Sequence, residues 1–519
     1  LLGSGFKKDL GKVNGGYPVL SWQKSEPVEE PVNGERISNA DELLAFAEKV
    51  SAGETTLDAT VVANIDMTEN TTFAGIGTEA NPYAGNFDGG SFTITLNTTV
   101  PNSTAGTNYR AGVIAFASGA TVRNVVMGGK IDAYNGCGIV GCAIGEATTT
   151  IENCTNKAKL TGSNPCGGIL GEAKAPATIR NCSNSGSIYF GGYNGGILGM
   201  VSAEGCLVEN CSNTGAISTS DNGSYRHGGI IGGVEGKNCT VRACYNTGEV
   251  KANSNVGGII GSAEHDRGSG LRVESCFNTG SVTATYINGG QYGVGGIVGT
   301  TAYNPDVVIS NVYNTGSVAS NGGGSKYAGA GGIVGYIYEN TTIENAYNTG
   351  AVSAAGTTSH GSILGTDLRA TNKFVNVYWL EGSDTVMFSG VSQAVEGMVD
   401  ASTADELKAM APTLGAGFKA DTANVNGGYP VLTWQPGDEE PVPPTTKAYT
   451  VAVGDGSSIA MGETANITLT VGHEEETAYN AYNFVVTYDA EKLSYTGINT
   501  DAAVKDENGT LTVSGYGAD

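Results

Sequence analysis

A five-residue phrase, Gly-Gly-Ile-x-Gly, recurs nine times down the middle of this chain. Its copies begin at Ala111 (AGVIA), Cys137 (CGIVG), Gly167, Gly195, Gly228, Gly257, Gly295, Gly331 and Gly361 (GSILG). The step between copies runs from 26 residues (Ala111 to Cys137) to 38 (Gly257 to Gly295). Such a recurrence marks a supersecondary unit that cannot bury its apolar face alone and must stack on its neighbours. Three apolar columns keep step with the phrase: Val122, Ile151, Ile179 and onward to Phe374; Ile131, Leu160, Ile188 and onward to Val352; and Ile139, Ile169, Ile197 and onward to Ile363. Each unit therefore carries three short, mostly β-branched segments separated by Gly and Asn, with no 3.6-residue period. The fold class this predicts is all-β: a right-handed parallel β-helix of about nine coils, three strands per coil, followed by a partial β-sandwich.

The turns repeat as well. Asn156, Asn184, Asn213, Asn246, Asn278, Asn314 and Asn348 recur at one position, with Gly two residues later in most coils. Asn tolerates left-handed backbone, Gly accepts positive φ freely, and stacked Asn amides can bond one another across strands. Ten cysteines are present. Five share a column, Cys154, Cys182, Cys211, Cys244 and Cys276, where other coils have Val125, Val312, Ala346 and Val377. A position that takes Cys, Val or Ala asks for a small buried apolar group, so these read as core thiols. Cys206 and Cys239 share a second column on adjacent coils and are the one pair considered for a bridge; free thiols are favoured there too.

The composition narrows the partners. Asp and Glu number 51 against 27 Lys and Arg, a net charge of −24, which argues against nucleic acid and anionic membrane surfaces. No apolar run approaches the roughly 18 residues that span a bilayer. The opening LLGSGFKK is not built like a signal peptide, and the chain reads as part of something longer.

A longer-range duplication sets the domain plan. GFKKDLGKVNGGYPVLSWQ at 5–23 nearly repeats as GFKADTANVNGGYPVLTWQ at 417–435, an offset of 412 (417 minus 5). Residues 1–24 thus read as the tail of a preceding module, 25–35 as an acidic Pro linker, and 36–436 as the solenoid. Within it, 36–110 is an N-terminal cap with a short helix after Asn39-Ala-Asp-Glu42, 111–380 are the coils, and 381–436 is a C-terminal cap with a helix near Ala404–Met410. A Pro linker at 437–447 leads to 448–519, whose alternating strands suit a partial Ig-like sandwich.

The coil consensus, as in IENAYNTGAVSA…GGIVG, resembles the GLUG repeat of bacterial surface and secreted proteins. The flanking ADELLAFAEKV…IDMT…AGNFDGGSFTITL and FKADTANVNGGYPVLTWQ resemble the caps usual around it. SSIAMGETANITLTVG…AYNFVVTYDAEKLSYTGI resembles the first half of a cohesin-like domain. The resemblance implies an extracellular location on a bacterial cell surface, cell-wall attached or secreted, within a large multidomain protein, and a dockerin-like partner for the C-terminal segment.

Catalytic chemistry is not visible. His227, His265, His360 and His473 make no triad or metal spacing with their neighbours, and the coil charges fall in no common column. The chain reads as a non-catalytic structural or adhesive module without cofactors, presenting surfaces to a glycan, host or protein partner. The alternatives are an accessory part of a secreted peptidase or glycan-degrading enzyme, or a cohesin-type scaffold. One surface feature stands out. Tyr245, Phe277, Tyr313, Tyr347 and Tyr378 directly follow the Cys/Val column on five successive coils. If that column points inward, the rings point outward and stack. They form either a platform for sugar rings or a protein partner, or a ladder that stabilises the stack.

Overall fold

A computed structural model describes residues 34–100, 403–435 and most of 110–380, leaving out short loop segments of the coils; nearer the termini it describes only isolated strands. The chain divides into two compact units, Leu1–Gly437 and Asp438–Asp519. The first is a parallel β-solenoid of about nine turns. A nine-stranded sheet runs its length from Ile114–Ala117 to Leu364–Asp367, with one strand from each copy of the Gly-Gly-Ile phrase. All its pairings are parallel, as in Val140 opposite Leu170 and Leu170 opposite Leu198.

Two of the three apolar segments in a coil are broken, so a coil carries more strands than its apolar columns suggest. One turn runs through Thr149–Glu152, Thr155–Asn156, Lys159–Gly162, Cys166–Gly167 and Leu170–Ala173. Asn153 makes the first break. It sits at φ +55°, and the equivalent Asn124, Asn181, Asn210, Asn311, Asn345 and Asn376 all lie between +52° and +55°. The left-handed residue is therefore the Asn before the Cys column, not the Asn after it as the sequence suggested. That second Asn does other work: Asn156, Asn184, Asn213, Asn246, Asn278, Asn314 and Asn348 are all buried. Each amide Nδ2 donates to the next Oδ1, at 2.6 to 2.8 Å, in six bonds from Asn156 through Asn348. From Asn184 onward each Nδ2 also donates to a backbone carbonyl two residues on, as in Asn246 to Gly248 at 2.8 Å.

The Gly-Gly pair follows from this ladder. A Cβ on Gly229 would lie 2.4 Å from Cγ of Asn246 and 2.1 Å from the carbonyl oxygen of Gly258. Backbone and stacked amides thus touch directly across the coil, and no side chain fits between them. Inside, one apolar core extends from Ile37 to Val377 and includes the five cysteines of the column.

The segment 36–110 is more than a cap, since its strands continue the parallel stack. Gly34–Ile37 pairs with Asp58–Val61, that strand with Asn86–Asp88, and that one with Thr121–Arg123. Helix Ala40–Ser51 covers this end, burying Leu43, Phe46 and Val50. Asn39 accepts from Glu42 N at 3.0 Å, but Glu42 returns its bond to Ser38 N at 2.6 Å rather than to Asn39. That hydrogen bond from the Ser38 backbone is the main cause holding the Glu42 carboxyl below its ordinary pKa.

In the second unit, Thr450–Val453 pairs antiparallel with Leu469–Gly472, and Tyr482–Thr487 and Ala503–Asp506 flank Thr510–Gly515. Both sheets are antiparallel, unlike anything in the coils. The linkers at 25–35 and 437–447 fall outside the described residues, apart from Gly34 and Glu35.

Candidate functional site

The aromatic residues singled out by the sequence do form one line. Tyr245 stacks on Phe277 with ring centroids 5.0 Å apart, Phe277 on Tyr313 at 4.9 Å, and Tyr313 on Tyr347 at 5.1 Å, all within 5° of parallel. Tyr378 stands opposite Tyr347 in the next pairing. The spacing is that of parallel strands, so the rings inherit their stack from the backbone.

The line is not open, and this corrects the platform reading. Phe277, Tyr313, Tyr347 and Tyr378 are 8%, 1%, 0% and 3% exposed. Residues 403–435 lie over them as a strap, forming a second apolar cluster with Leu407, Leu414, Phe418 and Leu432. This C-terminal cap therefore runs back along the side of the solenoid as far as Tyr245. Helix Ala404–Lys408 begins at a capping box between Thr403 and Glu406. Phe418 tilts over Tyr347 at 5.9 Å, and Trp434 lies 5.8 Å from Phe277 and 6.2 Å from Tyr245.

Polar bonds fix the register of the strap. Tyr347 Oη donates to the Pro430 carbonyl and accepts from Asn426 Nδ2 at 2.7 Å. Tyr313 Oη pairs with the Gln435 amide, receiving Nε2 at 2.7 Å. Trp434 Nε1 donates to Ser275 O at 2.9 Å. Asp421 shapes the loop by accepting from the backbone N–H groups of Val425, Asn426 and Gly428 at 2.7 to 2.9 Å. Burial raises the pKa of both Tyr313 and Tyr347 above the usual phenol range, so both keep their protons.

The sequence reading missed a different aromatic group. Tyr225 and Tyr189 are exposed, at 43% and 42%. Arg226 lies with its guanidinium carbon 4.8 Å over the Tyr193 ring and 5.7 Å from the Tyr225 ring, and its Nη1 donates to Tyr193 Oη at 2.7 Å. Tyr193 Oη in turn donates to Glu235 at 3.2 Å. Tyr193 and Arg226 both hold left-handed backbone, φ +50° and +71°, which bulky residues seldom adopt. Tyr189 stands opposite Thr161 and Ser218, and Tyr225 opposite Ser254, positions where the adjoining coils carry no aromatic residue, so column analysis passes over them. Among the described residues, no group of three or more His, Cys, Asp or Glu is placed to hold a metal ion.

No family model and no curated protein matches this chain. Three chains of solved structures resemble it, two of them as follows. One is a Bacteroides ovatus protein provisionally described as an immunoglobulin A1 protease: TM-score 0.35, 18% identity, 78% of this chain and 93% of that one covered. The other is an IgA1 protease: TM-score 0.31, 16% identity, 70% of this chain and 22% of that one. At these scores neither likeness bears on activity.

The thiols and the buried histidine remain. All ten cysteines are free and buried. Cys206 and Cys239 are unbridged, as favoured, and the sulfurs of another pair on adjacent coils, Cys137 and Cys166, lie 2.6 Å apart. The Gly-Gly phrases of these coils are one residue out of step with the backbone pairing, which sets Cys137 opposite Cys166 while Val140 faces Leu170. Burial raises the pKa of Cys137, Cys154, Cys211 and Cys244 far above an ordinary thiol. Alkylation should therefore label few of the ten before denaturation and nearly all after it. Three or more disulfides in the intact mass would overturn the core-thiol reading. Cys211→Ala should cost about 1 kcal/mol.

His227 is wholly buried and 2.6 Å from Asn194 Nδ2. Burial lowers its pKa to about 4, against about 6.5 in an unfolded chain. Its neutral form is thus built into the fold. The stability it contributes is complete above pH 6.5 and is lost as pH falls through 4. His227→Gln should reduce the loss of unfolding free energy between pH 7 and pH 4, measured by denaturant titration, by up to about 3 kcal/mol relative to the parent. Equal losses in both proteins would show that His227 is not the source.

Proposed function

We propose that this chain is a non-catalytic, extracellular module of a tandem bacterial surface protein of the GLUG kind, which acts as a stiff spacer and carries an adhesive surface. The observation that supports it most is the continuous buried Asn ladder from Asn156 to Asn348, which ties the coils into one body rather than a string of hinged repeats. A solenoid so tied holds whatever it presents at a fixed distance. The adhesive surface is assigned to Tyr225 and Tyr189, with Arg226 and Glu235 near Tyr193. Exposed tyrosine faces stack on sugar rings, and Arg226 and Glu235, which both bond Tyr193 Oη, offer hydroxyl-binding contacts.

A glycan array probed with the full chain tests this. Binding that falls at least tenfold in Tyr225→Ala and Tyr189→Ala, with unchanged folding, is the expected result. No glycan bound, or equal binding by the variants, would remove the adhesive surface. The alternative reading, an accessory part of a secreted peptidase or glycan-degrading enzyme, separates on the same preparation. Hydrolysis of peptide or glycan substrates by the purified chain would count against a non-catalytic module.

A further inference from the structure

The strap on the aromatic ladder has a second copy in the same chain, and burial shows which of its residues matter. Residues 414–435 and 2–23 align with the offset of 412 and differ at six of 22 positions: Ala416/Ser4, Ala420/Lys8, Thr422/Leu10, Ala423/Gly11, Asn424/Lys12 and Thr433/Ser21. In the strap, five of those six are exposed and Ala423 is half-buried. Every buried residue of 414–435 is identical in the copy: Leu414, Phe418, Asp421, Pro430, Val431, Leu432 and Gln435 correspond to Leu2, Phe6, Asp9, Pro18, Val19, Leu20 and Gln23. Asn426 and Trp434, which bond the solenoid, reappear as Asn14 and Trp22. The backbone agrees independently. Phe418 pairs antiparallel with Leu432 and Lys419 with Val431; Phe6 pairs with Leu20 and Lys7 with Val19.

A surface whose variation is confined to solvent-facing positions carries the same docking face. We propose that residues 2–23 are a second ladder-binding strap, and that they seat on the ladder Tyr245–Tyr378 of a second copy of this chain when that copy's own strap is displaced. The bonds transfer one for one: Phe6 over Tyr347, Trp22 over Tyr245 and Phe277, Gln23 on Tyr313, Asn14 and the Pro18 carbonyl on Tyr347 Oη. In the intact chain the tethered strap wins, because its covalent attachment to the coils keeps it at an effective concentration on the order of millimolar. With that strap loosened, each copy offers one ligand and one seat at different places on its surface. Such a contact is heterologous and joins copies head to tail rather than closing a dimer. This does not depend on the adhesive reading, because no ladder residue belongs to the Tyr189–Tyr225 surface.

The test uses the full chain carrying Phe418→Ala and Trp434→Ala, with a fluorescent peptide of residues 1–24 as probe. The variant should bind the peptide 1:1, at least tenfold more tightly than the parent does, and a Phe6→Ala/Trp22→Ala peptide should not bind. By light scattering the variant should also self-associate, and adding Phe6→Ala and Trp22→Ala to the chain should return it to monomer. Equal binding of both peptides, or none by a variant whose strand signal in circular dichroism is intact, overturns the proposal. A second chain covers the case in which that variant unfolds: the parent with Ala416→Ser, Ala420→Lys, Thr422→Leu, Ala423→Gly, Asn424→Lys and Thr433→Ser, which turns 414–435 into the 2–23 sequence. Its strap should resist protease as the parent's does. A strap cut readily in this chain would show that the 2–23 sequence does not fit the ladder.

Discussion

Tyr347→Ala should detach the strap 403–435 while leaving the coils standing. Tyr347 is fully buried between the coils and the strap. It stacks on Tyr313, touches Phe418, donates to the Pro430 carbonyl and accepts from Asn426. Removing a buried ring of this size costs about 3–5 kcal/mol. The Pro430 carbonyl and Asn426 Nδ2 lose their shortest bonds and keep only the 3.4 Å contacts of Asn426 Nδ2 with Tyr429 O and Pro430 O, which adds up to roughly 1–3 kcal/mol each unless the strap lifts off and water reaches them. Lifting off is the cheaper response, because the strap belongs to a separate apolar cluster from the solenoid core. The expected readout is rapid proteolysis within 403–435, a red shift of Trp434 emission and a retained strand signal. Tyr347→Phe keeps the ring and loses only the hydroxyl, so it should cost about 1–2 kcal/mol and leave the strap in place. A strap equally protected in Tyr347→Ala would show that the ladder is not what holds it.

Much of this architecture is legible in the sequence because a solenoid repeats its reasons. The columns through Ile151, Cys154, Leu160 and Ile169 are buried in the structure apart from the half-buried Val352, and a small apolar residue recurring nine times has few explanations other than a shared interior. The ring stack was legible for the same reason. Its cover was not. Nothing in the column of Tyr245, Phe277, Tyr313, Tyr347 and Tyr378 says whether the next shell is water or protein; that depends on a segment about 25 residues further along the chain than Tyr378. One signal did point to it: 417–435 carries Phe418, Tyr429, Leu432 and Trp434, more aromatic and apolar weight than a solvated tail needs. The stacking of the Asn156–Asn348 amides was legible, but the left-handed turn was placed on them rather than on Asn153 and its equivalents, because either position tolerates a tight turn and only backbone angles separate the one that turns from the one that stacks. Tyr189 and Tyr225 stand in paired strands opposite Thr161, Ser218 and Ser254, so no aromatic recurs at their positions in the adjoining coils and periodicity does not single them out.

Asn246→Ala should be among the most destabilising single substitutions in the coils, and the contrast with Asn210→Ala is what makes the measurement decisive. Asn246 sits mid-ladder, fully buried. Its Nδ2 donates to Gly248 O at 2.8 Å and to Asn278 Oδ1 at 2.7 Å, and its Oδ1 accepts from Asn213 at 2.7 Å. Truncation removes three buried hydrogen bonds at once: Gly248 O and Asn278 Oδ1 lose their donor, and Asn213 Nδ2 keeps only its bond to Gly215 O. At roughly 1–3 kcal/mol each, the loss is about 5 kcal/mol, in the range that marks a broken buried network. Water cannot easily repair it, because Gly229 packs its backbone directly against the Asn246 amide. Asn210 also belongs to a ladder, donating to Asn181 Oδ1 at 2.7 Å, but on the exposed side of the coil. Its left-handed backbone does not require Asn, since Ala243 holds φ +52° at the same position one coil on. Asn210→Ala should therefore cost about 1 kcal/mol or less, with solvent replacing the lost bond. Urea midpoints of the two variants against the parent give both numbers. Similar costs would mean that the inner amides are not the spine of the solenoid and that apolar stacking alone holds the coils in register. A gap of several kcal/mol would place the cohesion of these coils in the buried amide column that runs from Asn156 to Asn348.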